Sequence, residues 1–158
     1  MPAPQRKHPV HLAPLELGNR PVVIFLTVCA RNRQPLLATD RAHADIVEAW
    51  NRATHWRVGR YVVMPDHLHL FCSPGTIPAQ PLNLWIRYWQ NLVTRAWSRP
   101  EEKPIWQKEY WDRQLRSGDS YGQKWDYVMN NPVRHNLVGT SSLWPYQGEL
   151  NPLPWHNR

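Results

Sequence analysis

Two histidines flanking a single leucine, in the run MPDHLHLFCSP from Met64 to Pro74, are the residues of this chain whose type and spacing most directly suggest chemistry. Side chains alternate along a strand, so His67 and His69 would share one face while Leu68 and Leu70 take the other. Two neutral imidazoles about 7 Å apart along a strand can converge on one divalent ion if a third ligand comes from elsewhere in the chain. With eight histidines in 158 residues, an H-x-H can also be an incidental pair on a half-solvated strand. The motif therefore needs a second half.

A candidate second half lies near the C-terminus, in QKWDYVMNNPVRHNLV. Ser120-x-x-Gln123 is a capping-box signal, and the run behind it predicts a helix to Asn131, where Pro132 stops it. Tyr127 and Asn131 are four residues apart and would share a face, so a nucleophile and a ligand could point together. The plainer alternative is that Tyr127 packs and Asn131 caps the helix before Pro132.

These residues must be positioned by the elements around them. VVIFLTVCA, following Pro21, predicts a buried strand, broken by RNRQPLL. DRAHADIVEAWNR, 40–52, places Ile46, Val47 and Trp50 at helical spacing behind a Thr39 or Asp40 cap. WRVGRYVVM, 56–64, and HLHLFCS, 67–73, are two strands joined by a tight Pro65-Asp66 link. LNLWIRYWQNLVTRAW, 82–97, is an amphipathic helix, and IWQKEYWDRQL, 105–115, a fourth strand with aromatics alternating against charges. The order is that of an α+β, ferredoxin-like split βαβ fold (βαββαβ), an antiparallel sheet with an added C-terminal helix carrying Tyr127. The length suits one domain. Residues 1–20 form a basic, proline-rich arm, 21–140 the domain, and 141–158 a Trp- and Pro-rich tail.

Nineteen Lys and Arg against twelve Asp and Glu give a net charge of +7, which favours a polyanionic partner such as nucleic acid. Ten tryptophans and six tyrosines are abundant enough either to fill the core or to stack on single-stranded bases. Cys29 and Cys72 sit in strand-like runs with no C-x-x-C and no disulfide framework, which suits a reducing compartment. The N-terminal run has no apolar segment long enough for a signal peptide, and the longest apolar run falls far short of a membrane span, so a cytoplasmic protein with no membrane partner is expected.

The pairing of VVMPDHLHLF with WDYVMNNPVRHNLV, in this order and at this separation, resembles the single-tyrosine HUH transposases. More narrowly it resembles the REP-associated tyrosine transposases of bacteria. The resemblance runs from about Val22 to Trp144, through RNR, WQKEYWDR and SSLWPY. It implies that His67, His69 and Asn131 bind a divalent metal, Mg²⁺ or Mn²⁺, and that Tyr127 is the catalytic nucleophile. The implied activity is a metal-dependent single-stranded DNA endonuclease and strand transferase acting through a 5′-phosphotyrosine intermediate. Its partner would be single-stranded hairpin DNA, an imperfect REP-like palindrome, and the protein a monomer.

Asn136 departs from the glycine common at this place, though asparagine tolerates left-handed backbone. A free tyrosine hydroxyl titrates near 10, so attack at neutral pH needs the help that a bound ion gives the phosphate. A two-His-plus-amide set with open positions suits such an ion better than a closed structural zinc site would. Asp66 could orient an imidazole, or simply make the turn. Arg6, Lys7, Arg87, Arg95 and Arg134 are the cations expected along a DNA backbone, although NPVRH could equally be structural, and exposed members of Trp85, Trp89 and Trp97 could stack bases. Tyr121 is the nearest substitute nucleophile. The competing functions are a non-cleaving hairpin-DNA binder, a phosphodiesterase that leaves no protein on the DNA, and an RNA-binding ferredoxin-like module.

Overall fold

The computed structural model describes residues 22–116 and 119–155. Its elements follow the expected order: β1 (Ile24–Ala30), α1 (Asp40–Arg52), β2 (Trp56–Val63), β3 (His67–Pro74), α2 (Leu82–Ala96) and β4 (Trp106–Gln114). Then come α3 (Tyr121–Met129), a four-residue α4 (Asn131–Arg134) and β5 (Gln147–Glu149). All pairings are antiparallel, in the order β4-β1-β3-β2-β5. The first four strands form the split βαβ sheet, and the segment expected to be a tail supplies a fifth strand on the free edge of β2.

Alternation along β1 and β3 sends two sets of side chains to two layers. Ile24, Leu26, Val28, Leu68, Leu70 and Cys72 pack beneath α1 and α2 with Ile46, Trp50, Trp85, Trp89 and Val93. On α2 the buried positions 82, 85, 86, 89 and 93 repeat at helical intervals, so the stripe faces the sheet. Trp85 and Trp89 are fully buried, with the Trp85 indole N–H donating to the Ala53 carbonyl at 2.7 Å. Neither is available to stack on a base. Trp97 is half-buried and donates to Glu102 Oε1 at 2.8 Å.

The opposite face carries Val23, Val62, Met64 and Phe71 beneath Tyr121, Trp125 and Val128 of α3, together with Trp144. The Trp144 indole donates to the Val63 carbonyl at 2.9 Å, joining the C-terminal segment to this layer. His67 and His69 lie on this second face. Both expected caps are present, Thr39 Oγ1 accepting from Ala42 N and Ser120 Oγ from Gln123 N. The helix expected to reach Asn131 instead ends at Met129. Pro132 lies in the first turn of α4, where its missing N–H breaks no helical bond. Asn130, in right-handed helical conformation, is the one residue between the two, so Tyr127 and Asn131 stay about one turn apart. Asn136 closes the segment in left-handed conformation, φ 58°. Among the described residues no helix is long and apolar enough to cross a membrane.

Candidate active site

His67 opens β3 and His69 follows two residues on, so the pleat presents both imidazoles on the α3 face. Their ring centroids are 4.8 Å apart, nearly perpendicular at 79°. Each ring is held through Nδ1. Asp66 Oδ1 lies 2.7 Å from His67 Nδ1, and Thr27 Oγ1, paired across the β1–β3 ladder with His69, lies 2.8 Å from His69 Nδ1. A carboxylate only accepts, so Asp66 fixes the proton of His67 on Nδ1 and leaves Nε2 with a free lone pair. The threonine hydroxyl can accept the corresponding proton from His69. Each ring is thus oriented through Nδ1 by a second group, which leaves Nε2 as the nitrogen through which an ion could be bound. Phe25 stacks on His69 at 5.3 Å and 19° and limits its rotation.

The electrostatics favour the neutral, ligating forms. Burial lowers the His69 pKa to about 3, with the positive fields of His67, Arg134, Arg33 and His135 acting in the same direction. Burial also lowers His67, against the opposing pull of Asp66. Burial would raise the Asp66 carboxyl, but hydrogen bonds from His67 and Arg33 outweigh it and hold the carboxyl below its ordinary value. Arg33 Nε donates to Asp66 Oδ2 at 2.9 Å. To reach it the chain passes through left-handed backbone at Asn32 (φ 54°) and Arg33 (φ 55°), a conformation costly for arginine, by about 1–2 kcal/mol. Arg33–Asp66–His67 is thus a continuous line of hydrogen bonds ending on a candidate ligand.

The other half of the site comes from α3 and α4. Tyr127 is 56% exposed, whereas Tyr121, on the same helix, is 6% exposed. The Tyr121 hydroxyl accepts from the Arg60 amide at 2.9 Å, and burial pushes its pKa up to about 12. Tyr121 is therefore a packing residue and no substitute nucleophile. Arg134 lies against Tyr127, its guanidinium carbon 4.3 Å from the ring centroid, and donates from Nη1 to the Tyr127 carbonyl at 2.8 Å. Its Nη2 donates to Asn131 Oδ1, also at 2.8 Å. His135, one turn beyond Asn131, brings its ring centroid to 6.5 Å from that of His67, so the end of this segment lies at the histidine pair.

Among the described residues no group of three His, Cys, Asp or Glu side chains is arranged to hold a metal ion. Two neutral imidazoles with Nδ1 engaged are by chemistry suited to a divalent ion through Nε2, and a third protein ligand would have to be of another type, as the Asn131 carboxamide is. Arg87 and Arg95 are exposed on α2, in the layer opposite the histidines, so they do not join this cluster. Arg6 and Lys7 lie outside the described residues. Arg33, Thr27 and Phe25 were not foreseen from the sequence, and the one available signal for His135 was its place after Tyr127 and Asn131 in a four-residue ladder.

No family model matches the chain. An Escherichia coli K12 protein, a REP-associated tyrosine transposase, is 30% identical over 142 residues, spanning 83% of this chain and 82% of the relative. A REP-associated tyrosine transposase solved bound to a REP hairpin superposes with a TM-score of 0.65 at 25% identity, over 92% of this chain and 81% of that one. A candidate transposase of Deinococcus radiodurans R1, at 17% identity and a TM-score of 0.50, shares the fold across 75% of this chain and 97% of its own. The fold is thus one shared with proteins of the transposase class. The chain belongs, within that class, to the REP-associated tyrosine transposases.

Proposed function

We propose that this protein is a divalent-metal-dependent endonuclease and strand transferase for single-stranded hairpin DNA, with Tyr127 as nucleophile and His67, His69 and Asn131 as metal ligands. The observation that carries the reading is the pair of strand-borne imidazoles with Nδ1 engaged, met through His135 by the segment that bears an exposed tyrosine and a carboxamide. A Mg²⁺ or Mn²⁺ ion held there would supply Lewis-acid polarisation of the scissile phosphate and offset the charge developing on its oxygens.

The chain's own residues do the rest. Asp66 and Thr27 hold both imidazoles in the ligating orientation, and burial keeps them unprotonated at neutral pH. Tyr127 Oη forms a bond to phosphorus as the bond to the 3′ oxygen breaks. The phenolic proton passes to solvent and the departing oxygen takes one up, leaving a 5′-phosphotyrosine and a 3′ hydroxyl. The linkage remains a phosphodiester, so a second DNA hydroxyl can displace the tyrosine without a nucleotide cofactor. Single-stranded hairpin DNA as substrate is supported by the net charge of +7 and by likeness to the hairpin-bound relative. A monomer is supported by the short connection between β4 and α3, residues 115–120, which favours local packing of the helix over exchange.

The test is incubation of the protein with labelled single-stranded hairpin DNA and Mn²⁺, followed by a denaturing gel. We expect a covalent protein–DNA adduct that Tyr127→Phe abolishes while binding the same DNA. A cleaved product without adduct would identify a phosphodiesterase, and tight binding with neither would identify a non-cleaving hairpin binder.

A further inference from the structure

Arg134 makes three contacts with the two residues on which the proposed chemistry depends. Its planar guanidinium covers the Tyr127 ring, bonds the Tyr127 carbonyl and bonds Asn131 Oδ1. The last contact is the informative one. A carboxamide offers a cation its oxygen and not its nitrogen, and here that oxygen already accepts from a fixed positive charge. A divalent ion approaching the same oxygen meets a like charge 2.8 Å from it, competing for the same lone pairs.

We infer that Arg134 is a positioning residue that competes with the divalent ion for Asn131 Oδ1, and that, once displaced, its guanidinium turns to the DNA phosphate beside Tyr127. This rests on Asn131 being a ligand, as proposed above. Before substrate arrives, the guanidinium holds Asn131 and Tyr127 in register, one helical turn apart across the Asn130 joint. When ion and phosphate enter together, the phosphate supplies the anionic partner that makes release of Asn131 favourable. Arginine suits the exchange, because its fork matches two acceptors on the protein or two oxygens on a phosphate equally well. The ion then enters well only with DNA present, which suppresses metal loading of the empty site.

The experiment is a Mn²⁺ titration of the full chain, by calorimetry or by electron paramagnetic resonance, first without DNA and then with a single-stranded oligonucleotide. The variants are Arg134→Met, Arg134→Lys and Asn131→Ala. Arg134 is exposed, and thermal melting of each variant verifies folding. Without DNA we expect Arg134→Met to bind Mn²⁺ about five-fold or more tightly than wild type, the scale of one released hydrogen bond. Its oligonucleotide affinity should fall, with the salt slope reduced by about one. Arg134→Lys, a point charge that cannot bridge both acceptors, should show the tighter metal binding but keep the salt slope. A merely structural arginine would give weaker metal binding on removal, and that result, or unchanged affinity, overturns the competition while Asn131→Ala still weakens Mn²⁺. If Asn131→Ala leaves Mn²⁺ affinity unaltered, the proposed ligand set falls and the competition falls with it.

Discussion

Replacing Asp66 with asparagine separates the orienting role of this carboxylate from its place in the turn. The side chain keeps its shape, but its oxygens no longer both accept, as they do now from His67 at 2.7 Å and Arg33 at 2.9 Å. An amide has one acceptor, so one donor loses its partner. If the amide oxygen turns to Arg33, the NH₂ group faces His67 Nδ1 and drives the ring to its Nε2–H tautomer, which cannot bind a metal through Nε2. Hydrogen bonds to charged groups are worth about 1.5–3 kcal/mol, and the partial exposure of Asp66 places this one near the lower end. At roughly 1.4 kcal/mol per decade this is about a ten-fold loss of Mn²⁺ affinity, within the range for groups that orient a metal-binding histidine. Calorimetric titration of Asp66→Asn against wild type, without DNA, measures it. Affinity within two-fold of wild type, in a variant whose melting temperature is also unchanged, would refute the idea that Asp66 orients His67.

The remaining predictions concern stability and pH. A Cβ built on Gly59 lies 2.6 Å from both Leu153 Cγ and the Tyr121 hydroxyl, so Gly59→Ala should destabilise by about 1–3 kcal/mol in urea unfolding; a neutral effect would mean that α3 is not seated on β2 as described. His67 and His69 have folded pKa values below their unfolded value near 6.5, so between those values the unfolded chain binds protons that the folded chain does not. Their contribution to stability is therefore complete above about pH 6.5 and is lost as pH falls below it, for His69 down to about 3. Urea unfolding of wild type and His69→Gln from pH 7.5 to 4.5 tests this, since the stability of wild type should fall more steeply with acid than that of the variant; parallel curves would contradict it.

What could be read in the sequence was what repeats locally. The H-x-H strand follows from a period of two, and the α2 stripe from positions 82, 85, 86, 89 and 93. The same stripe settles the question composition left open, since it takes Trp85 and Trp89 into the core. β5 was not legible because three residues, Gln147–Glu149, are too short and polar to show a period, and they become a strand only because β2 offers them an edge. The groups that orient the histidines were hidden for a different reason. Thr27 is 42 residues from His69 and Arg33 is 33 from Asp66, contacts that exist only once β1 has paired with β3. The left-handed backbone that aims Arg33 leaves no pattern, since the residues there are not glycine.

The two halves of the site are built on supports of different stiffness, and this has a measurable consequence. β3 is hydrogen-bonded on both sides, to β1 and β2, so His67 and His69 are fixed by two ladders before their Nδ1 contacts are added. Tyr127 stands at the exposed end of a nine-residue helix, too short to persist without packing, and is followed by the Asn130 joint and Pro132. Only Tyr121, Trp125 and Val128 are buried on α3, and the Arg134 contacts lie at the surface. The proposed reaction, in which Tyr127 attacks a phosphate and is later displaced from it, would need precision at the ion and freedom at the nucleophile, and stiffness is distributed in that sense here. Amide hydrogen exchange should show residues 68–72 of β3 protected near the level of global unfolding, with residues 127–137 exchanging through local opening at least ten-fold faster. Equal protection of the two segments would mean that the tyrosine helix is as fixed as the sheet, and the division of roles would fail.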